Sequence, residues 1–390
     1  MIEKTKTVSV SDFGALGDGL TDDTAAIQAA LDSGAERVRI PFGNYRVTET
    51  LLVHSNTEIL ADRCARVVLA GDRKRQRGDF LLSNADTVDG NENISIVGGI
   101  WDGNNQHPQN AKPDIFDNVG YSGAVLNFVN LNGLNLRDIT VANSTTYYVR
   151  MARLENFDIE NVDLVSDEFG KNQDGLHFGG AVRHGRVKNL RALSDGQTND
   201  DMVALNADDS VERVENLDLV RDDIENISFE NIFATNCYTV IRMLSVDAAI
   251  RNIRFKNVYA GYRNFVINGD GARYCKTPLF REEDRPDGIG RIENIEIDGL
   301  VCYPVTEPHK RNPEGQVGSE FALRLECYCD NFTVKNFKKL KTPNDDGTHA
   351  LMLSHVKGVE AVANGKSYKL DSTSDELILD NFENLTINKT

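Results

Sequence analysis

Two short acidic motifs hold the side chains best suited to chemistry, Asn172-Gln173-Asp174-Gly175 and Asn199-Asp200-Asp201. Each ends close to a short apolar run, Leu176 to Phe178 and Met202 to Leu205. If each run is a β-strand and the chain makes one circuit between them, the two strands lie about 4.8 Å apart in a parallel sheet. Asp174 and Asp201 then stack, because both precede the same strand pattern, and Asp200 stands one residue off and points elsewhere. Three crowded carboxylates oppose one another's ionisation, so one of them holds a proton near neutral pH.

Further along, Arg242 sits inside the apolar run Val240 to Leu244. A buried arginine is costly unless paired, so an outward position facing the carboxylates would satisfy it and let it grip a substrate. The plainer alternative is a structural ion pair with a neighbouring coil. Asp208-Asp209 and Asp222-Asp223 are also acidic pairs, for which solvated turns are the simplest reading. Trp101, Tyr147 and Tyr148 offer faces for stacking on sugars, although aromatics at strand ends more often pack. His107 falls in a polar loop and is expected to be exposed.

A recurring pattern must position these groups: Asn, apolar, any, apolar, any, Asn or Gly, apolar. It occurs at Asn93, Asn156, Asn226, Asn252, Asn294 and Asn331, with a last echo at Asn384. Period-two apolar residues make half-buried strands, and Asn or Gly at each end makes the turns. Strand-and-turn units recurring along one chain mark a solenoid, whose length grows by coils rather than by domains. The whole chain, 1–390, therefore reads as one all-β domain. Residues 1–50 form an N-terminal segment with a short capping helix, and 51–390 form coils with loop insertions at 71–92, 104–122 and 262–290. The helix follows a glycine turn, with a cap at Thr21 or nearby and an apolar stripe of Ile27, Ala30 and Leu31. The glycines there are not a phosphate loop, since no GxxxxGK follows and Asp22 and Asp23 would repel an anion. Asn-x-Ser/Thr at Asn93, Asn226 and Asn331 is read as strand-start turns, not as glycosylation sites.

The net charge of −17 argues against nucleic acid and anionic membranes as partners, since both need a basic face. No run approaches the length of a membrane span, and the N-terminus has no apolar signal core. A cytoplasmic protein is expected, or a secreted one whose leader was removed. The six cysteines form no CxxC pair, and Cys327 and Cys329 read as packed or edge thiols. No metal and no cofactor are expected.

The run from Asp12 to Ala30, Asp-Phe-Gly-Ala-Leu-Gly-Asp-Gly-Leu-Thr-Asp-Asp-Thr-Ala-Ala-Ile-Gln-Ala-Ala, resembles the opening segment of the pectate-lyase-like superfamily of right-handed parallel β-helices. Asn172 to Gly175 and Asn199 to Asp201 resemble the Asn-Thr-Asp and Gly-Asp-Asp motifs of polygalacturonase-type, family 28 glycoside hydrolases. Ile241-Arg242-Met243 matches that family's Arg-Ile-Lys segment in its arginine. The resemblance implies an inverting glycoside hydrolase acting on a pectic or related plant or bacterial poly- or oligosaccharide. Asp200 would be the general acid, and Asp174 and Asp201 would hold and activate the attacking water. Such a mechanism places acid and base about 6.5–9.5 Å apart. Asn172, Asn199, His177, Arg242 and His184 complete the expected substrate-binding set.

Two departures bear on substrate. No Gly-His-Gly follows the aspartate pair and no histidine occurs between His184 and His309, so His177 or His184 would have to replace the family's histidine. By strand parity His177 should face out beside the site, next to Ala204. Leu244 stands where the family has its lysine, which favours a neutral, deoxy or mixed sugar over a galacturonan. A polysaccharide lyase on the same fold and a non-catalytic, carbohydrate-binding or tailspike-like β-helix remain the alternatives.

Overall fold

Asparagine sets the corners. In the computed structural model, which describes residues 6–111, 120–209, 216, 218–273, 279–313, 315–343 and 347–390, Asn226, Asn252 and Asn294 have φ of 60°, 56° and 56°. This left-handed conformation suits Asn because its short polar side chain bonds locally. Here the bonds run from coil to coil. Asn252 Nδ2 donates to Asn226 Oδ1 at 2.9 Å, Asn294 to Asn252 at 3.1 Å and Asn331 to Asn294 at 2.9 Å. A second column links Asn161, Asn189, Asn231 and Asn257 in the same way, at 2.7, 2.8 and 3.1 Å. The recurring asparagines are thus corners inside continuous extended segments, such as Ile224–Leu244 and Ile250–Asp270.

Between corners the chain pairs in parallel with the following coil in three rows. The first row holds 126–129, 149–152, Leu176–Gly179, Asp201–Asn206, 239–244, 265–270, Phe321–Leu325 and His349–Ser354. The second runs through 131–137, 154–160, 182–188, 224–230, 250–256, 292–298 and 329–335. The third includes 162–165, 190–192, 232–234, 258–262 and 300–304. Inward residues of all three rows make one apolar core, in which Ile227, Phe229, Ile253, Phe255, Ile295 and Ile297 are buried. Phe229 and Phe255 stack with ring centroids 4.5 Å apart.

The one α-helix among the described residues, Thr24–Leu31, buries Ile27, Ala30 and Leu31 as expected. Its cap position is Asp23 rather than Thr21, and that carboxylate turns the other way, accepting from the Leu16 and Gly17 amides at 2.7 and 3.1 Å. It thereby holds the glycine turn. Near the C-terminus the pairing becomes antiparallel: Leu385–Lys389 lies against 332–334 and 359–363, and Glu376–Leu379 against 351–354. The echo at Asn384 is therefore a covering strand rather than another coil, and it pairs an edge that would otherwise be open.

The expected loops are shorter than the composition suggests. Leu82–Asn84 is a strand within 71–92, and the strand Ile250–Asp270 continues well into 262–290. Gly269, which mimics a loop signal, faces inward with Leu325 Cδ2 3.0 Å from where a Cβ would stand. Part of 104–122 and Cys275 lie outside the described residues. Cys237, Cys302, Cys327 and Cys329 are buried free thiols. Among the described residues no helix is long and apolar enough to cross a membrane.

Candidate active site

The first row carries the site on its outer face. Leu176 pairs in register with Val203, so Asp174 and Asp201 stand at equivalent places one coil apart, and Thr239 follows Asp201. Inward Leu176, Phe178, Val203, Leu205, Ile241 and Met243 join the core. The alternate positions form an outward column of His177, Ala204, Arg242, Asn268 and Arg324. Asn172, Asp174, Asp200, Asp201 and Arg242 line a cleft of about 350 Å³ together with Tyr238, Thr239, Asn264, Phe265, Asn268, Asp270, Gln316 and Arg324.

One oxygen from each of Asp174, Asp200 and Asp201 lies within 4.8 Å of the others. The crowding expected of the motifs is present, and it is tighter than the separation expected for an inverting acid and base. Burial first, and then the neighbouring charge of Asp200, push Asp201 well above the usual carboxylate range; Arg242 opposes the rise, and Asp174 and Asp270 add to it. The proton that crowding retains thus has its strongest hold on Asp201, whereas motif position assigned the acid to Asp200. Asp174 and Asp201 are buried and Asp200 is half-buried. Three carboxylate oxygens so close together also have the chemistry to hold a divalent cation such as calcium.

Arg242 is pointed outward, and its charge is divided. Its Nη2 donates to Asp270 Oδ1 at 3.2 Å, and its Nη1 lies 3.6 Å from Asp201 Oδ2. Asp270 also accepts from Asn268 Nδ2 at 2.7 Å and from the Ala272 amide at 2.9 Å. The next cation in the column, Arg324, bonds Glu326 Oε2 at 2.7 Å and lies 5.3 Å from the centroid of the Phe265 ring.

Other expected site residues fall differently. Asn199 bonds the Gly170 carbonyl at 2.9 Å and does not line the cleft. His184 is an exposed corner with φ of 59° at the start of a second-row strand, away from the cleft. His177 does stand beside Ala204 on the outer face, but it is not open to the site, because other residues bury it completely. Its Nδ1 lies 2.6 Å from Asp174 Oδ2 and its Nε2 2.7 Å from Asp209 Oδ2. Tyr147 covers the ring at 3.9 Å between centroids and 10° between planes. Burial lowers the affinity of His177 for a proton, but the hydrogen bonds and charges of Asp174 and Asp209 outweigh it, and its pKa is raised. Parity gave the correct side of the strand but not what lies over it.

Tyr147, Tyr148 and Trp101 are all fully buried and offer no face to a sugar. Their polar ends are satisfied internally, Trp101 Nε1 by the Gly98 carbonyl at 3.1 Å and Tyr148 by Gln197 at 3.2 Å. The acidic pair Asp208-Asp209 is buried rather than solvated. Asp208 Oδ2 accepts three amides, those of Val246, Asp247 and Ala248, at 2.6, 2.9 and 2.9 Å. Sequence reading missed Asn268, Asp270 and Arg324. The signal that could have found them is the one that found Arg242: a polar residue inside an apolar strand, as in Val266-Ile267-Asn268 and Ala322-Leu323-Arg324-Leu325.

Residues 7–263, which include the aspartate motifs and Arg242, match the family described as Rhamnogalacturonase A/epimerase, pectate lyase-like. The chain belongs to that family. Rhamnogalacturonase A of Emericella nidulans is 22% identical to this family member over 372 residues, covering 89% of this chain and 66% of that one. The preneck appendage protein of Bacillus phage PZA is 36% identical over 99 residues, which amount to 25% of this chain but only 12% of the phage protein. Among solved structures, a hyperthermoactive exopolygalacturonase from Thermotoga maritima shares the fold, with a TM-score of 0.58, 14% identity, and coverage of 97% of this chain and 94% of that one.

Proposed function

We propose that this protein is a glycoside hydrolase built on a right-handed parallel β-helix, acting on a pectic or related poly- or oligosaccharide. The observation that carries the reading is the aspartate trio in the cleft, three carboxylates within 4.8 Å of one another with one pushed strongly toward its protonated form. Hydrolysis of a glycosidic bond needs a carboxylic acid for the leaving oxygen and a carboxylate for the water. In this reading Asp200 and Asp201 share the retained proton. Asp200, the more exposed of the two, delivers it to the leaving group, and Asp174 and Asp201 hold the water. The expectation of inversion rests on the motif resemblance, against a spacing tighter than the usual inverting one, and the first product anomer decides it.

The substrate reading rests on Arg242. Its guanidinium is shared between Asp201 and Asp270, which leaves it little charge for a uronate carboxylate. Neutral or deoxy sugars at the cleaved position are favoured, in keeping with Leu244 in place of a second cation.

The test is reducing-sugar release from pectic and neutral plant oligosaccharides by the wild type and by Asp200→Asn, with NMR of the first product anomer. Release that is lost in the variant, with an inverted first product, is expected; a retained anomer would make one of the trio a nucleophile. The cation-holding capacity of the trio favours a second reading, a calcium-dependent lyase. That activity would yield an unsaturated, ultraviolet-absorbing product that chelation abolishes. The stretch shared with a phage appendage protein favours a third, a non-catalytic, tailspike-like β-helix that releases nothing.

A further inference from the structure

Asp174 Oδ2 is taken up by His177, and Asp174 Oδ1 is buried with no hydrogen-bond partner among the described residues. A buried carboxylate oxygen left without a donor is costly unless a ligand or water fills the place. Asp174 lines the cleft, and Oδ1 itself is covered, so a donor must enter from the cleft to reach it. Behind it, His177 is gripped at both nitrogens by carboxylates, at 2.6 and 2.7 Å, and both carboxylates and the ring are almost wholly buried.

The arrangement continues past Asp209. Asn216 Nδ2 donates to Asp209 Oδ1 at 2.5 Å, and Tyr147 Oη donates to Asn216 Oδ1 at 2.8 Å while its ring lies flat on His177. Tyr147 thus closes the line from above, pinning the imidazole plane and orienting the residue that orients Asp209. Neither Asp209 nor His177 lines the cleft.

We propose that Asp209 is a positioning residue acting through His177: the line Asn216–Asp209–His177–Asp174 fixes the rotation of the Asp174 carboxylate so that Oδ1 is the acceptor that holds the attacking water. This inference rests on the hydrolase reading and assigns work to a residue outside its cleft. With Nδ1–H and Nε2–H both donated, the ring is an imidazolium between two carboxylates. Its charge-assisted hydrogen bond holds the Asp174 carboxylate from behind. Oδ1 then accepts a hydrogen bond from water and, as the water attacks, its proton. The raised pKa of His177 accords with this charge state. A carboxylate free to rotate would present the water off line, and an ångström of misplacement costs on the order of a hundredfold in rate.

The experiment compares wild type, Asp209→Asn, Asp209→Glu and Asp174→Asn on whichever saccharide the wild type cleaves, with kcat, KM and thermal midpoint for each. Expected is a fall in kcat on the order of a hundredfold in Asp209→Asn at unchanged KM, measured below its lowered midpoint, and partly restored in Asp209→Glu. Wild-type kcat in Asp209→Asn overturns the inference while an inactive Asp174→Asn leaves the hydrolase reading standing. Full activity in Asp174→Asn, or an inactive wild type, removes the hydrolase reading itself. Should Asp209→Asn not fold, 15N NMR of the wild-type histidines decides the matter. Two protonated His177 nitrogens at neutral pH support the line, and one bare nitrogen overturns it.

Discussion

Replacing Arg242 with methionine removes a cation from between two buried carboxylates while keeping most of the side-chain volume. The Nη2 contact to Asp270 at 3.2 Å and the Nη1 approach to Asp201 at 3.6 Å are each worth about 5 kcal/mol of Coulomb attraction at an effective dielectric of about 20. Most of that offsets the desolvation of the arginine, so the net cost of breaking such a pair is about 3–5 kcal/mol. Two features place this site at the low end. Asp270 keeps its bonds from Asn268 and Ala272, and Asp201 can escape its exposed charge by holding a proton. A loss of about 3 kcal/mol is therefore expected at neutral pH, read as unfolding free energy in urea.

The sign of its pH dependence follows from Asp201. Its folded pKa is raised above the ordinary carboxylate value of 3.8, so the proton-bound form contributes stability that is complete below that value and lost as pH rises through the folded pKa. Arg242 lowers that folded pKa, so Arg242→Met raises it further and penalises the ionised form more. The deficit should be largest at neutral pH and shrink as the solution is acidified toward the unfolded carboxylate range. A loss below about 1 kcal/mol at neutral pH, the range of exposed ion pairs, or a deficit that grows in acid, would refute the reasoning.

The same sign applies to catalysis: the basic limb of the kcat profile should lie above the ordinary carboxylate range, because the trio's acid must be protonated, and Arg242→Met should move that limb to higher pH in whatever activity remains. Away from the site, Asn252→Ala should cost about 1–2 kcal/mol in unfolding free energy for forcing alanine into a left-handed corner. Asn252→Gly should cost less, retaining the backbone but losing the ladder bonds to Asn226 and Asn294. Equal losses for the two variants would mean that the ladder, not the backbone, holds the corner.

The residues that sequence read well share one property: their places depend on near neighbours along the chain. Ile-x-Phe and Ile-x-Ile segments alternate in a strand whatever surrounds them, and asparagine reaches the left-handed corner through its own side chain. Asp174 and Asp201 could therefore be stacked from the repeat of one strand pattern, and Arg242 could be turned outward because an unpaired guanidinium is costly to bury. Glycine and aspartate near residue 269 misled in the opposite direction, because an inward glycine that makes room for Leu325 looks locally like a loop.

What tertiary structure alone decided is which groups meet across distant segments. His177 has the parity of an exposed residue, yet Tyr147 from one coil and Asp209 from the far side of another enclose it. Asp208 and Asp209 look like any solvated acidic pair until one is found holding three amides and the other a histidine. The partner of Arg242 proved to be Asp270 as well as Asp201 because coil-to-coil register places them around one guanidinium. Strand parity and corner chemistry are local and can be read from order. Burial, shared protons and ion pairs arise from packing between coils, where the spacing along the chain varies with every loop.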